Sequence, residues 1–300
     1  MICLLTGATG FLGKIISKHT FLSNTVFGLS RRGSHFNYCL EKEAPFFNIQ
    51  FDLVIHAAGK AHHTPKTEAE KQEFYQVNVI GTYNLLKGLE NSGLPSQFVF
   101  ISSVSVYGLD MGQKIDETHP LGAKDPLGLT KIQAEYMVLD WCKKYNIVCT
   151  ILRLPLIAGA YPPGNLGDMI KGIKKGYYFN IKSAECKKSI VLAEDVAKSI
   201  VKVASIGGIY NLTDGYHPSF FELSENISRQ LGKNRSKNLP LWLAKGLALT
   251  GDLFGEKAPL NSAKLLKITS DLTFDDSKAK EAFGWHPTPV LEGFIISDKN

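Results

Sequence analysis

The chain begins with Ile2-Cys3-Leu4-Leu5, four apolar residues typical of a buried strand, and continues directly into Thr6-Gly7-Ala8-Thr9-Gly10-Phe11-Leu12-Gly13. A helix-like pattern follows. In the spacing Gly-x-x-Gly-x-x-Gly, Gly7 allows a tight turn, Gly10 lets the backbone approach a pyrophosphate, and Gly13 lets the helix pack on the strand. A strand, a glycine turn and a helix in this order predict a dinucleotide site that includes Gly7, Thr9, Gly10, Phe11, Leu12 and Gly13.

Strand-like and helix-like stretches alternate through the first half of the chain. Amphipathic segments such as 77–90 and 130–144 separate short apolar runs, and this alternation predicts an α/β fold with a Rossmann-type, doubly wound parallel sheet. The interval between Arg32 and Phe51 is too short for a strand and a full helix, so we expect only a turn around residues 40–47. The predicted strands are 2–5, 25–29, 53–56, 98–101 and 149–152.

The second half of the chain has a looser pattern. Residues 158–165 contain turn-forming Gly and Pro and predict a loop. Beyond it we expect a strand at 209–212 and helices at 195–203, 220–231, 240–249 and 277–283. The predicted organisation is a dinucleotide-binding domain formed by residues 1–157 and 189–215, with a smaller, mainly helical substrate lobe formed by residues 158–188 and 216–300.

Composition argues against several classes of function. The 300 residues carry a formal net charge of +6, and their Lys and Arg residues are scattered, so we expect no nucleic-acid partner. Five cysteines, an odd number without a Cys-x-x-Cys pair, argue against a disulfide framework or a zinc site, and we expect no metal. Together with the lack of a signal peptide before the first strand, these features predict a cytoplasmic protein.

The longest apolar stretch, residues 239–254, is interrupted by Lys245 and Asp252 and is too short for a membrane span. We expect an amphipathic helix packed against the protein. Binding to a membrane surface is the less favoured interpretation, because the stretch lacks a polar face rich in Lys and Arg.

The end of the second predicted strand bears on the choice of cofactor. An acidic residue at this point favours NAD, and an arginine favours the 2′-phosphate of NADP. The strand ends in Gly28-Leu29-Ser30-Arg31-Arg32, without an acid. A guanidinium can bind a phosphate through two parallel hydrogen bonds, and a serine hydroxyl can add another. Ser30, Arg31 and Arg32 therefore favour NADP, with NAD as the alternative.

Several motifs, in order along the chain, resemble those of the extended short-chain dehydrogenase/reductase family, in its NAD-dependent epimerase/dehydratase group that acts on nucleotide sugars. The resemblance covers most of the chain. It rests on residues 6–13, 52–59 (DLVIHAAG), 77–82 (VNVIGT), 101–108 (ISSVSVYG), 153–155 (RLP) with Gly159 and Gly164-Asn165, 191–197 (VLAEDVA) and 283–287 (FGWHP).

In this family a Ser or Thr and a Tyr bind the substrate oxygen, and a Lys four residues after the Tyr lowers the pKa of the Tyr and holds the cofactor ribose. The resemblance implies catalytic roles for Ser103 and Lys131. It also implies a substrate site that includes Ser103, Ser105 and Asn165. The further cofactor contacts that the resemblance implies are His56, Ala57, Ala58, Gly59, Asn78, Ser102, Lys131, Pro155 and Leu156.

The position of the family's tyrosine holds Leu127, which cannot transfer a proton. Either another group or a water supplies the proton, or the chain binds cofactor with impaired activity. Tyr107, His62, His63 and Tyr161 are candidates to lie near the pocket. Possible partners for an anionic substrate are Lys182, Lys187 and Lys188.

The residues beside Ser103 narrow the reaction that the resemblance implies. Dehydratases of the family carry an Asp-Glu pair where this chain has Val104 and Ser105, and GDP-fucose-forming enzymes carry a Cys where Ser105 stands. Segments 259–266 and 272–279 are similar to bacterial reductases of UDP-4-keto-6-deoxy-N-acetylhexosamines in polysaccharide synthesis. We therefore expect an NADP-dependent reductase of a 4-keto nucleotide sugar.

Two alternatives remain. One is an NAD-dependent nucleotide-sugar 4-epimerase, and the other is a non-catalytic NADP-binding sensor or partner-binding protein, which Leu127 supports. By the same resemblance, the helices at 77–90 and 130–144 predict a homodimer.

Overall fold

A parallel sheet lies at the centre of the protein, in a computed structural model that describes residues 1–20, 24–61, 65, 67–181, 185–255, 258 and 260–296. The strands are β1 (Ile2–Thr6), β2 (Thr25–Ser30), β3 (Phe36–Asn37), β4 (Leu53–His56), β5 (Gln97–Ser103), β6 (Gly112–Ile115), β7 (Val148–Leu154), β8 (Leu156–Ala158), β9 (Phe179–Ile181), β10 (Ile190–Leu192), β11 (Gly208–Asn211), β12 (Lys237–Leu239) and β13 (Leu272–Phe274). Within the described ranges, seven of them form the central sheet in the order β11-β7-β5-β4-β1-β2-β3. All neighbouring pairs are parallel, and this order is that of the predicted Rossmann-type, doubly wound fold.

Helices cover both faces of the sheet. They are α1 (Phe11–Thr20), α2 (Glu68–Tyr75), α3 (Gly81–Ser92), α4 (Pro126–Lys144), α5 (Gly164–Lys175), α6 (Ala193–Ala204), α7 (Phe220–Gln230), α8 (Leu241–Asp252), α9 (Ser262–Thr269), α10 (Ser277–Phe283) and α11 (Val290–Gly293). A π-helical turn, Gln76–Ile80, precedes α3, and a 3₁₀ turn, Val104–Tyr107, follows β5.

The central strands are apolar on both faces because helices cover both. In β4, Leu53 and Ile55 lie in one core layer with Ile16 of α1 and Ile200 of α6. Val54, between them, lies in the opposite layer, to which α3 and α4 contribute. Side chains that alternate along a strand therefore fill two separate cores, which explains why the predicted strands have no polar face.

The short connection between β2 and β4 contains a turn instead of a helix. The turn covers residues 40–42, inside the predicted segment, and the two-residue strand β3 pairs with β2. The rings of Phe36, Phe47 and Phe51 meet edge to face, with 5.1 Å between the centroids of Phe47 and Phe51. This aromatic cluster packs the end of the sheet where a longer crossover would place a helix.

Helix α4 begins four residues before its predicted start, and α5 was not predicted as a helix. Helix α4 begins at Pro126 because the Asp125 carboxylate accepts a hydrogen bond from the Gly128 N–H at 3.0 Å and caps the first turn. Helix α5 begins at Gly164, and β8 extends to Ala158, so the loop predicted over residues 158–165 is wrong at both of its ends.

A second group of elements contains α5 and α7, helices α8 and α9, and the β9-β12 ladder. The helix predicted within residues 239–254 is confirmed by α8, which packs on the protein through its small residues and leaves most of its large apolar residues exposed. None of the helices in the described ranges has the length and apolarity needed to cross a bilayer. The two-domain boundaries given above stay a prediction.

Candidate active site

The glycine turn between β1 and α1 forms a cradle of bare backbone. Gly7 has a φ of +69°, a conformation that favours glycine, and its carbonyl oxygen accepts a hydrogen bond from the Gly10 N–H at 2.9 Å. A Cβ at Gly13 would overlap the Gly7 carbonyl, so α1 starts in direct contact with the turn. Thr9 and Gly10 are exposed, and Phe11 and Leu12 begin the helix whose N-terminus faces this turn. The cradle fits the pyrophosphate of a dinucleotide, as the spacing predicted.

The end of β4 lies against this turn. A Cβ at Gly7 would lie 2.8 Å from the Ala58 nitrogen and 2.9 Å from the Ala57 carbonyl oxygen, so the two backbones are in contact. The Ala58 N–H donates a hydrogen bond to the Thr6 hydroxyl at 3.1 Å. The structure thus brings together the first and second predicted motifs at the carboxyl end of adjacent strands, where ligands bind in open α/β sheets.

The His56 side chain has a structural role in this contact. Its Nδ1 lies 2.6 Å from the Thr6 hydroxyl, and its Nε2 lies 2.9 Å from the Thr82 hydroxyl, which itself donates to the Asn78 carbonyl oxygen at 2.6 Å. Burial, with a smaller effect of the Lys131 charge, lowers the pKa of His56 to about 3. The neutral ring therefore accepts from Thr6 and donates to Thr82, and neither ring nitrogen is left for a cofactor.

Asn78 joins the π-helical turn to two other segments. Its side-chain oxygen accepts from the Lys60 N–H at 2.7 Å, and its amide donates to the Lys60 carbonyl oxygen at 3.1 Å and to the Thr130 hydroxyl at 3.0 Å. A Cβ at Gly59 would lie 3.2 Å from both the Asn78 oxygen and the Lys131 Nζ. Gly59, Asn78 and Lys131 therefore meet at one place, as the resemblance implies.

Lys131 is buried on α4. Its ammonium donates to the Ile101 carbonyl oxygen at 2.8 Å and lies 4.7 Å from the centroid of the Phe100 ring. Burial lowers the pKa of Lys131 from 10.5 to about 8, while the negative charge of Glu135, one turn along the helix, acts to raise it. Lys131 is thus protonated near neutral pH but close to its titration point.

Ser103 ends β5 and caps the 3₁₀ turn. Its hydroxyl oxygen accepts from the Ser105 N–H at 3.1 Å and lies 3.0 Å from the Ser105 hydroxyl. A Cβ at Gly128 would lie 2.5 Å from the Ser105 carbonyl oxygen, so the first turn of α4 rests on the 3₁₀ turn. Half-buried Leu127 lies in this first turn, one helical turn before Lys131.

Of the candidates for a substitute acid, Tyr107 is held in hydrogen bonds within the protein. The hydroxyl of Tyr107 is buried, donates to the Asn211 side-chain oxygen at 2.8 Å and accepts from Arg153 at 3.1 Å. Burial raises the pKa of Tyr107, which makes proton release harder. Tyr161 is half exposed. His62 and His63, with Lys182 from the candidate anion partners, lie outside the described residues.

A buried ion pair behind Ser103 was not predicted from sequence. The guanidinium of Arg153 on β7 contacts the carboxylate of Glu135 on α4 through two hydrogen bonds of 2.7 and 3.1 Å, and both side chains are almost fully buried. The Ser102 hydroxyl donates to the same carboxylate, so this side chain is turned into the protein instead of toward a cofactor. With Tyr107 and Asn211, the network joins α4, β5, β7 and β11.

A cavity of about 520 Å³ lies at the adenosine end of the predicted cofactor site. Arg31 is 66% exposed at its rim and forms an ion pair with Glu41, with 3.2 Å between Nε and the carboxylate. Glu41 follows β3 in a turn, and no motif in the sequence identified it. The residues that line the cavity are Arg31, Glu41, Gly59, Lys60, Ala61, Glu73, Gln76 and Val77.

Ser30 and Arg32 lie on the other side of the β2 end. The Ser30 hydroxyl donates to the Arg32 carbonyl oxygen or pairs with the Ser34 hydroxyl, each at 2.7 Å. A second cavity of about 370 Å³ lies next to them, lined by Thr9, Ser34 and neighbouring residues of the glycine turn and the β2–β3 connection. Hydrogen bonds of the Ser30 hydroxyl therefore hold the backbone after β2 in place. Ser34, which takes part in them, was not predicted from the sequence.

The remaining predicted contacts lie on the substrate side. Pro155 and Leu156 are half buried where β7 leads into β8, and Asn165 is exposed in the first turn of α5. The Lys188 ammonium donates to the carbonyl oxygens of Lys267 and Ser270 at 2.6 and 2.7 Å, and burial lowers its pKa. Lys188 is thus engaged by the protein, whereas Lys187 is exposed.

Metal ligands do not cluster in this site. Among the residues that the structure describes, no three His, Cys, Asp or Glu side chains come close enough to hold an ion. The fold and the glycine cradle, with Ser103 at the end of β5 and Lys131 buried on α4, are the features of an enzyme of the dinucleotide-binding Rossmann class.

Comparison with known proteins identifies the family. The model of the NAD dependent epimerase/dehydratase family matches residues 3–212, and the chain belongs to this family. It is 28% identical to a UDP-glucose 4-epimerase of Vibrio cholerae over 97% of this chain and 92% of that one. It is 24% identical to a GDP-6-deoxy-D-mannose reductase of Pseudomonas aeruginosa, over 75% of this chain and 78% of that one.

A solved structure with the same fold contains cofactor. The P. aeruginosa protein RMD, in complex with NADPH, superimposes with a TM-score of 0.72 at 20% identity, covering 95% of this chain and 93% of that one. At this identity the similarity shows the fold. Family membership makes this chain an NAD(P)-dependent enzyme, and it leaves the choice between the two dinucleotides open.

The buried ion pair predicts a large loss of stability when one partner is removed. We expect Glu135→Leu to lower the free energy of unfolding by about 3–5 kcal/mol, because Arg153 keeps a buried charge without its counterion. As a control, Glu68→Leu removes the exposed pair with Lys71 and should cost less than about 1 kcal/mol. Urea denaturation measures both, and equal losses would contradict the assignment.

Lys131 predicts a distinct pH dependence of stability. Its pKa is about 8 when folded and 10.5 when unfolded, so the folded state carries the full cost of the buried charge below pH 8 and loses it as the pH rises to 10.5. Lys131→Met removes this cost. The free energy of unfolding of the Lys131→Met variant, minus that of the wild type, should be highest near neutral pH. This difference should fall by an amount on the order of 3 kcal/mol at high pH.

The control for this experiment is Lys237→Met, which changes an exposed lysine. Its effect on the free energy of unfolding should not vary between about pH 7 and about pH 10. A Lys131→Met difference that is equally flat would show that Lys131 titrates like a solvated lysine.

Proposed function

We propose that the protein reduces the C4 carbonyl of a 4-keto nucleotide sugar with NADPH. The observation that carries this proposal is the end of β2, where Ser30-Arg31-Arg32 replaces the acid that holds a ribose hydroxyl in NAD-dependent enzymes. Arg31 is exposed enough to turn toward a 2′-phosphate, and its pair with Glu41 at the surface is easily opened. Reduction consumes NADPH, whereas an epimerase keeps its bound cofactor.

The cofactor would be held by the backbone of the glycine turn and by Asn78 and Lys131. The bound dinucleotide supplies hydride. The Gly7–Gly13 cradle excludes any side chain from the pyrophosphate position, and the helix N-terminus at Phe11 favours its negative charge. Lys131 has three hydrogens and gives one to Ile101, so others remain for the ribose hydroxyls.

Ser103 would polarise the substrate carbonyl through its hydroxyl. The Ser105 N–H donates to the Ser103 oxygen and holds it in place. The hydroxyls of the two residues are also hydrogen-bonded to each other. Leu127 contributes no proton. Lys131, whose pKa lies near neutrality, is the acid that the described residues favour, and we assign it the delivery of the proton to the C4 oxygen by way of water.

The substrate assignment rests on the residues beside Ser103 and on the relatives. Val104 and Ser105 provide no carboxylates for an elimination, which argues against dehydration. The two relatives named above are a UDP-glucose 4-epimerase and a GDP-6-deoxy-D-mannose reductase, and each name contains a nucleotide sugar. Exposed Asn165 and Lys187 are the proposed contacts of the diphosphate. The sugar would be of the UDP-4-keto-6-deoxy-N-acetylhexosamine type.

An NAD-dependent 4-epimerase is the second candidate, and Glu41 is the observation that favours it. Its carboxylate lines the adenosine cavity and could accept hydrogen bonds from the ribose hydroxyls, as an acid at the β2 end does in NAD enzymes. The non-catalytic alternative is less favoured, because the chain belongs to a family of enzymes and keeps Ser103 and Lys131.

The proposed assembly is a cytoplasmic homodimer. Helices α3 and α4 pack together and expose Tyr83 and Tyr136, large side chains suited to a helical interface. This proposal follows the expectation from the family and the exposure of these two residues.

Cofactor choice can be measured with two opposite substitutions. Arg31→Ala should weaken NADPH binding by about tenfold or more and leave NADH binding unchanged, because a charge-assisted phosphate contact is lost. Glu41→Gln should strengthen NADPH binding, because it removes the carboxylate that competes for Arg31. Isothermal titration calorimetry measures the dissociation constants.

Arg229→Ala, on the surface of α7, is the matched control and should change neither affinity. The epimerase alternative predicts a different pattern. In that case Glu41→Gln weakens NADH binding, and Arg31→Ala has no effect on NADPH.

Leu127 allows a gain-of-function test. We expect slow NADPH oxidation with a UDP-4-keto-6-deoxy-hexosamine, and Leu127→Tyr should raise kcat by about 10²-fold or more, because it supplies a positioned general acid beside Lys131. Leu129→Tyr places the same side chain at an exposed position of the same helix and should have no effect. Lys131→Ala should abolish turnover.

The assay follows absorbance of the reduced nicotinamide. No oxidation by the wild type or by Leu127→Tyr would contradict the reductase assignment for this sugar. Conversion of a UDP-hexose to its C4 epimer without net oxidation would instead establish the second candidate.

A further inference from the structure

Helix α8 and the turn that follows it expose a row of large apolar side chains. Trp242 is 74% exposed, Leu249 67%, Leu253 85% and Phe254 72%. Leu243 and Leu247 are also exposed, at 37% and 49%. At about 100° per residue, the four positions within the helix, 242, 243, 247 and 249, fall within an arc of about 160° on one side, and Leu253 and Phe254 follow in the turn after the helix. This set, Trp242, Leu243, Leu247, Leu249, Leu253 and Phe254, is called the α8 face below.

The orientation of α8 is fixed by its small residues. Ala244, Ala248 and Gly251 are buried, and the two alanines pack with Leu265 of α9 and with Leu239 and other apolar residues of the ladder. A Cβ at Gly251 would overlap the Leu260 carbonyl oxygen, so no larger residue fits on this side. The large residues therefore point away from the protein, and a rotation of the helix cannot bury them.

The segment that carries this face is rich in positive charge. Residues 232–270 contain seven Lys and Arg against two Asp and Glu, a net charge of +5 within the segment, although Arg235 and Lys267 are paired with Glu225 and Asp110 outside it. Lys233, Lys237 and Lys245 are exposed, and none of the three has an ion-pair partner within the described ranges. Lys245 lies one turn before Leu249, at the edge of the apolar arc.

The neighbouring β9-β12 ladder extends the surface. Ile181 and Leu239 are paired in register and pack with Ala244, so this face of the ladder carries α8. Two residues earlier on each strand, Phe179 and Lys237 are paired on the same face, and both are exposed. An aromatic ring and an ammonium thus lie beside the α8 face, in the arrangement that suits a lipid headgroup region.

We propose that the α8 face docks on the surface of a bilayer that contains anionic lipids. Trp242, Leu249 and Leu253 would enter the boundary between headgroups and acyl chains, and Lys237 and Lys245 would contact lipid phosphates. The net charge decides against a second copy of the chain. A twofold contact through this face would bring the same lysines of both copies together.

Vesicle binding tests this proposal without cofactor or sugar, so its result is independent of the proposed function. The purified protein is mixed with vesicles of phosphatidylglycerol and phosphatidylcholine in equal parts, or of phosphatidylcholine alone, and sedimented. We expect binding to the anionic vesicles that weakens with added salt. Trp141 and Trp285 are only 7% and 3% exposed, so a blue shift of tryptophan fluorescence on binding would report insertion of Trp242.

Variants at exposed positions separate docking from folding. Trp242→Gln combined with Leu249→Gln should lower the vesicle partition coefficient by about tenfold or more, with unchanged thermal unfolding. Lys237→Gln combined with Lys245→Gln should lower binding to the anionic vesicles and remove its salt dependence. Trp242→Phe should keep the binding and lose the fluorescence shift. Phe46→Gln, at an exposed ring of the β2–β4 connection, is the control and should bind like the wild type.

Three outcomes would overturn the proposal. They are no sedimentation with either type of vesicle, sedimentation that the Trp242 and Leu249 substitutions leave unchanged, and a wild-type oligomer that these substitutions dissociate in light scattering. The last result would assign the α8 face to a second copy of the chain.

Discussion

The ion pair between Glu135 and Arg153 is the contact on which the geometry of the site depends. It joins α4 to β7 in the core, and the same carboxylate accepts the Ser102 hydroxyl at the end of β5. Transferring two charges from water to this core is costly, so the contact holds only because both groups are also hydrogen-bonded. Since Ser103 follows Ser102 and Lys131 lies one turn before Glu135, the pair sets the distance between the two proposed catalytic residues.

The same arrangement controls the charge of the site. The Glu135 carboxylate raises the pKa of Lys131 and burial lowers it, and burial has the larger effect. His56, at the end of β4, is neutral mainly because its ring is buried, and the nearby Lys131 charge lowers its pKa further. The Lys131 ammonium is therefore a buried positive charge beside Gly59, just after the carboxyl end of β4. In the proposed mechanism this charge contacts an anionic cofactor, and a pKa of about 8 suits the role of proton donor that we propose for Lys131 in the absence of a tyrosine at position 127.

The sequence predicted those features that depend on local patterns. The central strands, the glycine turn and Asn78 were found because each has its own periodicity or motif, and adjacent parallel strands must bring their carboxyl ends together. The sequence did not indicate Glu41, Ser34 or the Glu135–Arg153 pair. No motif or periodicity marks these residues, and their contacts depend on how the chain folds. His56 was predicted as a cofactor contact, but its ring forms hydrogen bonds within the protein at both nitrogens. A motif identified the position of this residue correctly and could not identify the direction of its side chain.

The packing of α8 shows why an apolar run alone does not define a buried helix. The hydrophobic content of residues 239–254 predicts burial, but burial depends on which residues approach a neighbour. Here the backbone of α8 comes so close to Leu260 that only a glycine fits at position 251. Ala244 and Ala248 pack on the same side. Close packing through small residues leaves the leucines and Trp242 on the opposite side. Exposed apolar side chains add no stability to a monomer, so the free energy of their burial remains available for binding. In our proposal, the exposed lysines Lys237 and Lys245 favour an anionic lipid surface over another apolar protein face.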